Sequence, residues 1–430
     1  MGNALYTLGE APTVFISNCS GELQIEGRGD ENVVLSSDSM PSSSQQAGRL
    51  VIENCEDDLR IQVPMGATVR VEHVEGELRA HRLSALEVGS VDGDVELGDI
   101  TGRSVVRHAE GEARVRDVME FLFGTVNGDL ELASVRGRCR VDTVEGEVRV
   151  QDVADLEIRT VNGDLKAGPS NGRYRVETVE GDAKVREVTE LSLGTVNGDL
   201  ALSGVRGRCS VRQTEGDARI REVMDLSLGG VNGDLDLEGI AGRLSLGRIE
   251  GDVRLRGNMR GFNARRVEGD LTLEIGFVPG EVYRLEVGGD ATVNLPSGSD
   301  VALDATVEGD VSGNGLQYMH DGNKVRAVWG SGAARLELRV DGNLSVRGTG
   351  ARVWGGFDFI EQDAARVDAP PPPPTPVPAP AAQPAAVREM PAAAGTGAPL
   401  DDLAVLEAVA RGELSPEEAD TLLTAKSVST

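Results

Sequence analysis

The chain has 430 residues, of which 55 are glycine and only 3% are aromatic, and its formal net charge is -28. A chain so poor in large side chains cannot build a thick globular core, so it must bury small aliphatic side chains in a thin one. The strong acidity argues against nucleic acid and anionic membrane surfaces as partners, and no stretch has the roughly 18 apolar residues of a membrane-spanning helix. Basic proteins and cationic peptides remain as partners.

The N-terminal segment, MGNALYTLGE, contains neither the basic run nor the apolar run of a secretory signal. Cys19 and Cys55 lie 36 residues apart, about two of the repeat units described next, which predicts a separation too large for a disulfide. Cys139 and Cys209 are predicted to lie four units apart. Four unpaired thiols are typical of a reducing compartment, so we expect a cytoplasmic protein, with association to the cell envelope left open.

The central part of the chain is a repeat. A glycine followed by Asp or Glu recurs in steps of 17 and 18 residues from Gly76 to Gly269, and GTVNGDL occurs at both 124–130 and 194–200. A unit this short cannot fold alone. We therefore predict an all-β fold, a single-stranded parallel β-helix (β-solenoid) of 17- to 18-residue coils, each stacked on the next, with a right-handed sense as the expectation. In the unit that begins at Gly128, the alternation of apolar and polar residues predicts six inward-facing side chains: Leu130, Leu132, Val135, Cys139, Val141 and Val144.

Each glycine marks a corner of the coil. We expect it to adopt a positive φ angle there, because glycine does so without steric cost and a neighbouring Asn tolerates the same region. Stacking then aligns the corner residues about 4.8 Å apart, with carboxylates and amides mostly alternating, which relieves like-charge repulsion. This corner is the candidate site, as a structural turn and as a face for a basic partner. Its predicted members are Glu75, Asp92, Glu110, Asn127, Asp129, Glu145, Asn162, Asp164, Glu180, Asn197, Asp199, Glu215, Asn232 and Asp234.

A second set of charges recurs every 35 residues and is predicted to hold the coils in register. Arginine and acid should alternate as pairs between coils, each contributing about 0.2 to 1 kcal/mol where exposed. The arginines are Arg103, Arg138, Arg173, Arg208 and Arg243, and the acids are Glu120, Asp155, Glu190 and Asp225.

The composition changes towards the C-terminus. We predict a solenoid over 1–366, with regular coils over about 70–310 and capping strands over 311–366, then a Pro/Ala-rich disordered linker over 367–398. Four aromatic residues are expected to plug the open end of the solenoid: Trp329, Trp354, Phe357 and Phe359. A helical hairpin over 399–426 has the capping signals Ser415, Pro416 and Glu418. Because it is too small to be stable alone, we expect it to form oligomers through Leu403, Leu406, Val409, Leu414, Leu422 and Leu423.

Motifs of catalysis are not found in the sequence. His73 and His108 are predicted to lie two coils apart, beyond the reach of one metal ion, and no nucleophile elbow or phosphate-binding loop occurs. A carbohydrate-active β-helix would need long loops to build a cleft, and the coils from 76 to 270 carry no insertion. We therefore expect no enzyme activity, no cofactor and no dedicated metal site, although weak binding of divalent cations to the corner carboxylates remains an alternative.

The repeats VNGDL and VEGDV, with the closing LELRVDGNLSVRG, resemble the bacterial putative-adhesin β-helix family of unknown function over roughly residues 10–355. The segment LEAVARGELSPEEADTLLTA resembles the short helical oligomerisation module called SHOCT. The family includes LiaX-type proteins tied to envelope stress. The resemblance implies a β-helix with a non-catalytic binding or sensing role, and it supplies no catalytic residues.

Two principal functions follow from the sequence. One is a non-enzymatic acidic scaffold or binding module, adhesin-like, that binds a basic protein or cationic peptide and forms homo-oligomers through its C-terminal helices. The alternative is a self-assembling structural polymer like the bactofilins, whose coils have the same length. A carbohydrate-active β-helix enzyme is a third and more remote hypothesis.

Overall fold

The computed structural model describes residues 2–46, 48–313, 319–348 and 351–352. These residues form an all-β parallel solenoid, which confirms the predicted fold class. Within this part of the chain no helix has the length and apolarity needed to cross a membrane. The predicted linker and helical hairpin, and the plug residues Trp354, Phe357 and Phe359, lie outside the described residues.

The regular coils occupy the middle of the chain. Their strands pair in parallel with the next coil, and several continue around bends without a break. They are β10 (Ala85–Val91), β11 (Val95–Ala109), β12 (Ala113–Val126), β13 (Leu130–Val144), β14 (Val148–Val161), β15 (Leu165–Ala167), β16 (Arg173–Val179), β17 (Ala183–Arg186), β18 (Glu190–Val196), β19 (Leu200–Thr214), β20 (Ala218–Val231), β21 (Leu235–Ile240), β22 (Leu244–Ile249), β23 (Val253–Met259), β24 (Phe262–Val267) and β25 (Leu271–Phe277).

Each regular coil has three sides. In β12 the short face is 113–116, a bend at Asp117 leads to a third side at Val118, and the long face is 120–126. The glycine corner at Gly128 then leads to the short face of the next coil. The inward residues form one continuous core, and the six predicted from Leu130 to Val144 are all at most 1% exposed. Burying each such Val or Leu contributes about 1.5 to 3 kcal/mol, so stacking stabilises a unit that could not fold alone.

The glycine corner corrects one prediction. Gly128 and its equivalents do not have positive φ angles. Instead, the Gly128 amide donates to the Gly111 carbonyl oxygen at 3.2 Å, and a Cβ at Gly128 would lie 2.6 Å from that oxygen. Glycine is required because the two coils approach too closely for any side chain.

Positive φ angles occur at the other bend, between the short face and the third side. One residue per coil adopts φ between 51° and 103° there, and most of these residues are not glycine. They are Arg82, Asp99, Asp117, Ser134, Asp152, Glu187, Gly204, Glu222, Gly239 and Gly257. The coil at Pro169 is an exception, since the proline ring holds φ negative.

At the N-terminal end the coils stack out of chain order. The strands are β1 (Gly2–Thr7), β2 (Thr13–Cys19), β3 (Leu23–Arg28), β4 (Asn32–Ser37), β5 (Ser43–Gln46), β6 (Arg49–Ile52), β7 (Leu59–Pro64), β8 (Thr68–Val74) and β9 (Leu78–His81). Strand β2 pairs in parallel with β6 on one side and β8 on the other, and β3 lies between β7 and β9. The coil of β6 and β7 therefore lies outside the earlier coil of β2 and β3.

This order corrects the prediction for the N-terminal cysteines. Cys19 and Cys55 form a parallel bridge on neighbouring coils and are not two coils apart. The prediction was wrong because it assumed that each coil stacks on the one that follows it in sequence.

The C-terminal end is interleaved in the same way. The strands are β26 (Val282–Val287), β27 (Ala291–Asn294), β28 (Val301–Val307), β29 (Val311–Ser312), β30 (Met319–Asp321), β31 (Lys324–Trp329), β32 (Ala334–Val340), β33 (Leu344–Arg347) and β34 (Ala351–Arg352). Strand β32 lies between β26 and β28, and β33 lies between β27 and β29. Trp329, predicted to plug this end, is 2% exposed.

Antiparallel strands cover outer edges of the parallel ladders at both ends, although none of the described strands covers the outer edge of the two-residue strand β29. At the N-terminal end β4 pairs with β7 and with β1, while β5 pairs with β6. At the C-terminal end β31 pairs with β28, and β30 and β34 pair with β31. These strands cover sheet edges that another parallel coil could otherwise extend.

Candidate functional site: the glycine corner

The glycine corner is held by apolar side chains on both sides. Val126 ends the long face and Leu130 begins the short face, and both point into the core. The three residues between them cannot follow inward, so Asn127 and Asp129 remain at the surface around Gly128. Stacked coils therefore carry two lines of polar residues, which we call the pre-glycine ladder and the post-glycine ladder.

The pre-glycine ladder joins coils in pairs through amide–carboxylate hydrogen bonds. The Asn127 side-chain amide donates to Glu110 at 2.6 Å, and Asn162 donates to Glu145 at 2.6 Å. Asn197 donates to Glu180 and Asn232 to Glu215 in the same way. Hydrogen bonds from His108 and then Asn127 lower the pKa of Glu110, so this carboxylate is kept ionised.

The post-glycine ladder uses a different contact. One carboxylate oxygen of each Asp accepts the backbone N–H of the equivalent residue on the next coil, as Asp182 Oδ1 does from Asp199 at 2.9 Å. The chain of such bonds is unbroken from Asp164 to Asp310 through Asp182, Asp199, Asp217, Asp234, Asp252, Asp270, Asp290 and Asn343. A Glu side chain is one methylene longer, and Glu77, Glu112 and Glu147 make no such bond.

The two halves of the post-glycine ladder differ in charge compensation. In the N-terminal half, four of the acids form ion pairs: Glu77 with Arg79 at 2.6 Å, Glu112 with Arg114, Asp129 with Arg149 at 3.7 Å and Glu147 with Lys166 at 2.8 Å. Within the described residues, Asp94 and Asp164 of this half form none. In the C-terminal half, within the described residues, no ion pair is formed by Asp182, Asp199, Asp217, Asp234, Asp252, Asp270 or Asp290. We call these seven residues the unpaired acidic stripe. Those from Asp199 onwards are exposed.

A shallow groove of about 540 Å³ follows the stripe from Asp182 to Asp270. Its other wall is the outward side of the short face, where Lys184, Arg219 and Arg254 recur every 35 residues. The groove therefore has an acidic wall on every coil and a basic side chain on every second coil.

The structure places the predicted site residues on both ladders. Asp129, Asp164, Asp199 and Asp234 belong to the post-glycine ladder, and the other ten belong to the pre-glycine ladder. The predicted set omits Asp182, Asp217, Asp252, Asp270 and Asp290, which complete the stripe. Their signal in the sequence was an acid directly after every repeat glycine.

The long face carries the predicted arginine and acid positions in register. Arg103 lies opposite Glu120, and Arg208 lies opposite Asp225. Ion pairs form between Arg138 and Asp155 at 3.8 Å and between Arg173 and Glu190 at 3.6 Å. The partners are about half exposed or more, so each pair contributes little, about 0.2 to 1 kcal/mol.

Other chemistry is sparse on the described residues. No group of three or more His, Cys, Asp and Glu side chains in them could hold a metal ion. His73 and His108 are separated by the coil that carries Ser90, and His73 contacts that hydroxyl at 2.7 Å. Among described carboxylates with a shifted pKa, Glu26, Glu110 and Asp300 all shift downwards, which is the opposite of what a general acid requires.

Fold and site together define a parallel β-solenoid repeat protein with stacked acidic corners. No protein-family model matches the chain, and no curated protein matches it. One similar solved structure is that of a putative cell adhesion protein from Clostridium sporogenes. The identity is 9%, the match covers 80% of this chain and 98% of that chain, and the TM-score is 0.13, too low to support an argument about this protein. Membership of the LiaX-type family and the SHOCT-like module remain predictions.

Proposed function

We propose that this protein is a non-enzymatic scaffold or binding module that binds a basic protein or cationic peptide along its unpaired acidic stripe. The observation that carries the proposal concerns seven successive stacked carboxylates, from Asp182 to Asp290, which form no ion pair with any residue that the structure describes. At a coil spacing of about 4.8 Å, this line of negative charge attracts an extended chain of Lys or Arg residues. Multimerisation through the C-terminal helices, and an adhesin-like or envelope-stress role, are further parts of the proposal.

The geometry of the stripe favours binding over a purely structural role. Structural needs are met by one oxygen of each carboxylate, which accepts the next coil's amide. An Asn side chain meets the same need, since Asn343 accepts the Asp310 amide at 2.9 Å. The negative charge is therefore not required for the turn, and it remains available to a partner.

An enzyme is less well supported than a binding module. The regular coils are stacked without an inserted loop that could form one wall of a cleft. A cytoplasmic location fits four free thiols, and this too remains a proposal.

The binding proposal is tested by titrating labelled oligolysine into the full-length protein and following fluorescence anisotropy at low and high salt. The triple variant Asp217→Asn, Asp234→Asn, Asp252→Asn keeps the amide-accepting oxygens and removes three charges. At about 0.5 kcal/mol per exposed charge, we expect about tenfold weaker binding at low salt.

The matched control removes the same charge from the long face through Glu157→Gln, Glu177→Gln and Glu190→Gln. We expect it to bind oligolysine nearly as tightly as the unmodified protein. Equal weakening by both triple variants, or no binding to the unmodified protein at low salt, would contradict the proposal.

A further inference from the structure

Cys19 and Cys55 face each other on the interleaved N-terminal coils. The Cys55 amide donates to the Asn18 carbonyl at 3.0 Å, and the Ser20 amide donates to the Cys55 carbonyl at 2.8 Å. Cys55 is therefore fixed directly opposite Cys19 in a parallel bridge. The usual strand spacing of about 4.8 Å lies within the 4.4 to 6.8 Å range of Cα separations in disulfides.

The two sulfur atoms lie near the same acceptor. Cys55 Sγ is 3.1 Å from the Asp57 carbonyl oxygen, and Cys19 Sγ is 3.8 Å from that oxygen. Both residues are at most 1% exposed, and both are free thiols. The neighbours Asn54 and Glu56 are exposed, so the pair lies just beneath the surface.

We propose that Cys19 and Cys55 are a redox-reactive pair that a peroxide converts into a disulfide, which locks the outer N-terminal coil to its neighbour. The link would join the end of β2 to the segment that follows β6. Its effect would be to hold the coil of β6 and β7 in its place outside β2 and β3.

The reaction needs one nucleophilic and one resolving thiol. The proximity of Cys19 lowers the pKa of the Cys55 thiol, while the proximity of Cys55 raises the pKa of the Cys19 thiol. Cys55 is therefore the thiol of the pair that loses its proton more readily, and the thiolate is the nucleophilic form.

The electron balance is complete with one peroxide per pair. The Cys55 thiolate attacks hydrogen peroxide, the O–O bond breaks, and sulfenic acid and hydroxide form. The Cys19 sulfur then attacks the Cys55 sulfur, the S–O bond breaks, and water leaves with the proton from the Cys19 thiol. In sum, two thiols are oxidised to one disulfide while the peroxide is reduced to two waters.

The chain contains its own control thiols. Cys139 lies between Phe121 and Leu156 on the neighbouring coils, and burial raises its pKa. Cys209 lies between Leu191 and Leu226, and burial raises its pKa to about 12. Neither has a neighbouring thiol, so neither should react like the pair.

The test exposes the full-length protein to hydrogen peroxide, alkylates the remaining thiols under denaturing conditions, and maps the peptides by mass spectrometry without reduction. We expect the Cys19 and Cys55 peptides to be joined and two hydrogens lighter, with Cys139 and Cys209 alkylated. The rate should rise with pH, and at a lower pH than for an ordinary cysteine, because the lowered pKa of Cys55 increases its thiolate fraction. Four alkylated cysteines, or equal oxidation of Cys139 and Cys209, would overturn the proposal.

The variant Cys19→Ser separates the role of the nucleophilic thiol from that of the resolving thiol. In Cys19→Ser, Cys55 should still form a sulfenic acid that dimedone traps, but no cross-linked peptide should appear. If Cys55 in this variant fails to react while the wild-type protein forms the disulfide, the assignment of Cys55 as nucleophile is wrong.

Discussion

At the scale of single residues, the distance between neighbouring coils selects the side chain. Gly128 has no alternative because a Cβ would contact the Gly111 carbonyl at 2.6 Å. One residue later, Asp is selected over Glu in the C-terminal half because only the shorter side chain accepts the next coil's amide. The motif Asn-Gly-Asp thus encodes a close contact between coils together with its side-chain cap.

Thr214 is a residue whose hydroxyl the fold does not use. It is fully buried where most other coils place Val, between Val196 and Val231, and its hydroxyl oxygen has no hydrogen-bond partner among the described residues. Thr214→Val removes a buried unsatisfied group at nearly constant volume, so we expect the free energy of unfolding to rise by about 1 to 2 kcal/mol. Chemical denaturation measures this change.

The reverse substitution is the control for Thr214. Val196→Thr places a hydroxyl in the equivalent position of the preceding coil and should destabilise the protein by a similar amount. A Thr214→Val variant of unchanged or lower stability would show that an unseen partner satisfies the hydroxyl.

Single residues also show what sequence can and cannot reveal. The alternation around Leu130 and Val141 predicted their burial because a strand's period of two allows only one inward set. The role of the corner glycine was predicted wrongly. A positive φ angle and a close approach of two backbones both require glycine, so the sequence alone does not distinguish these two causes. Asp99, Asp117 and Asp152 carried the correct signal for the left-handed bend, because Asp tolerates that region and they recur with the repeat.

At the scale of the structural element, the left-handed bend is the strained part of each coil. Glu222 adopts a φ of 53°, whereas Gly204 and Gly239 occupy the same bend on the coils before and after it. A non-glycine residue in this region costs about 1 to 2 kcal/mol. Glycine avoids this cost, but its greater conformational freedom in the unfolded chain reduces the net gain in stability.

We therefore expect Glu222→Gly to raise the free energy of unfolding by about 0.5 to 1 kcal/mol. Glu222→Ala is the matched control, because Ala retains the steric cost of the bend and should give no gain. Denaturant unfolding of the three proteins measures the difference, and an equal gain from Ala would attribute the effect to the lost charge.

The strands of the middle coils could be predicted more fully than those of the ends. The 35-residue spacing placed Arg138 opposite Asp155 and Arg173 opposite Glu190, and both pairs form. At the N-terminal end, β6 has the same alternating pattern as any other strand, so the sequence does not reveal on which side of β2 it lies. The proximity of Cys19 and Cys55 was missed for that reason.

At the scale of the whole molecule, the question is whether solenoids join end to end. Antiparallel strands β1, β5 and β30 lie outside the last parallel coils, so among the described strands a second chain would meet an open parallel edge only at the two-residue strand β29. This supports discrete assemblies over filaments.

Light scattering and negative-stain microscopy of the full-length protein test this expectation. We expect discrete oligomers that become monomers in Leu406→Asp, because the predicted helices outside the described residues would lose their apolar contact. Ala381→Asp in the predicted linker adds the same charge and should leave the mass unchanged. Filaments formed by both variants would favour the polymer alternative.

The interleaved ends also determine how such a protein can change its length over evolution. A duplicated or deleted segment of 35 residues in the middle adds or removes two coils and preserves the alternation of Glu and Asn in the pre-glycine ladder. The same event within 13–74 or 282–347 would separate β2 or β32 from one of its two partners. Gene duplication can therefore extend this solenoid from within, while both ends remain as they are.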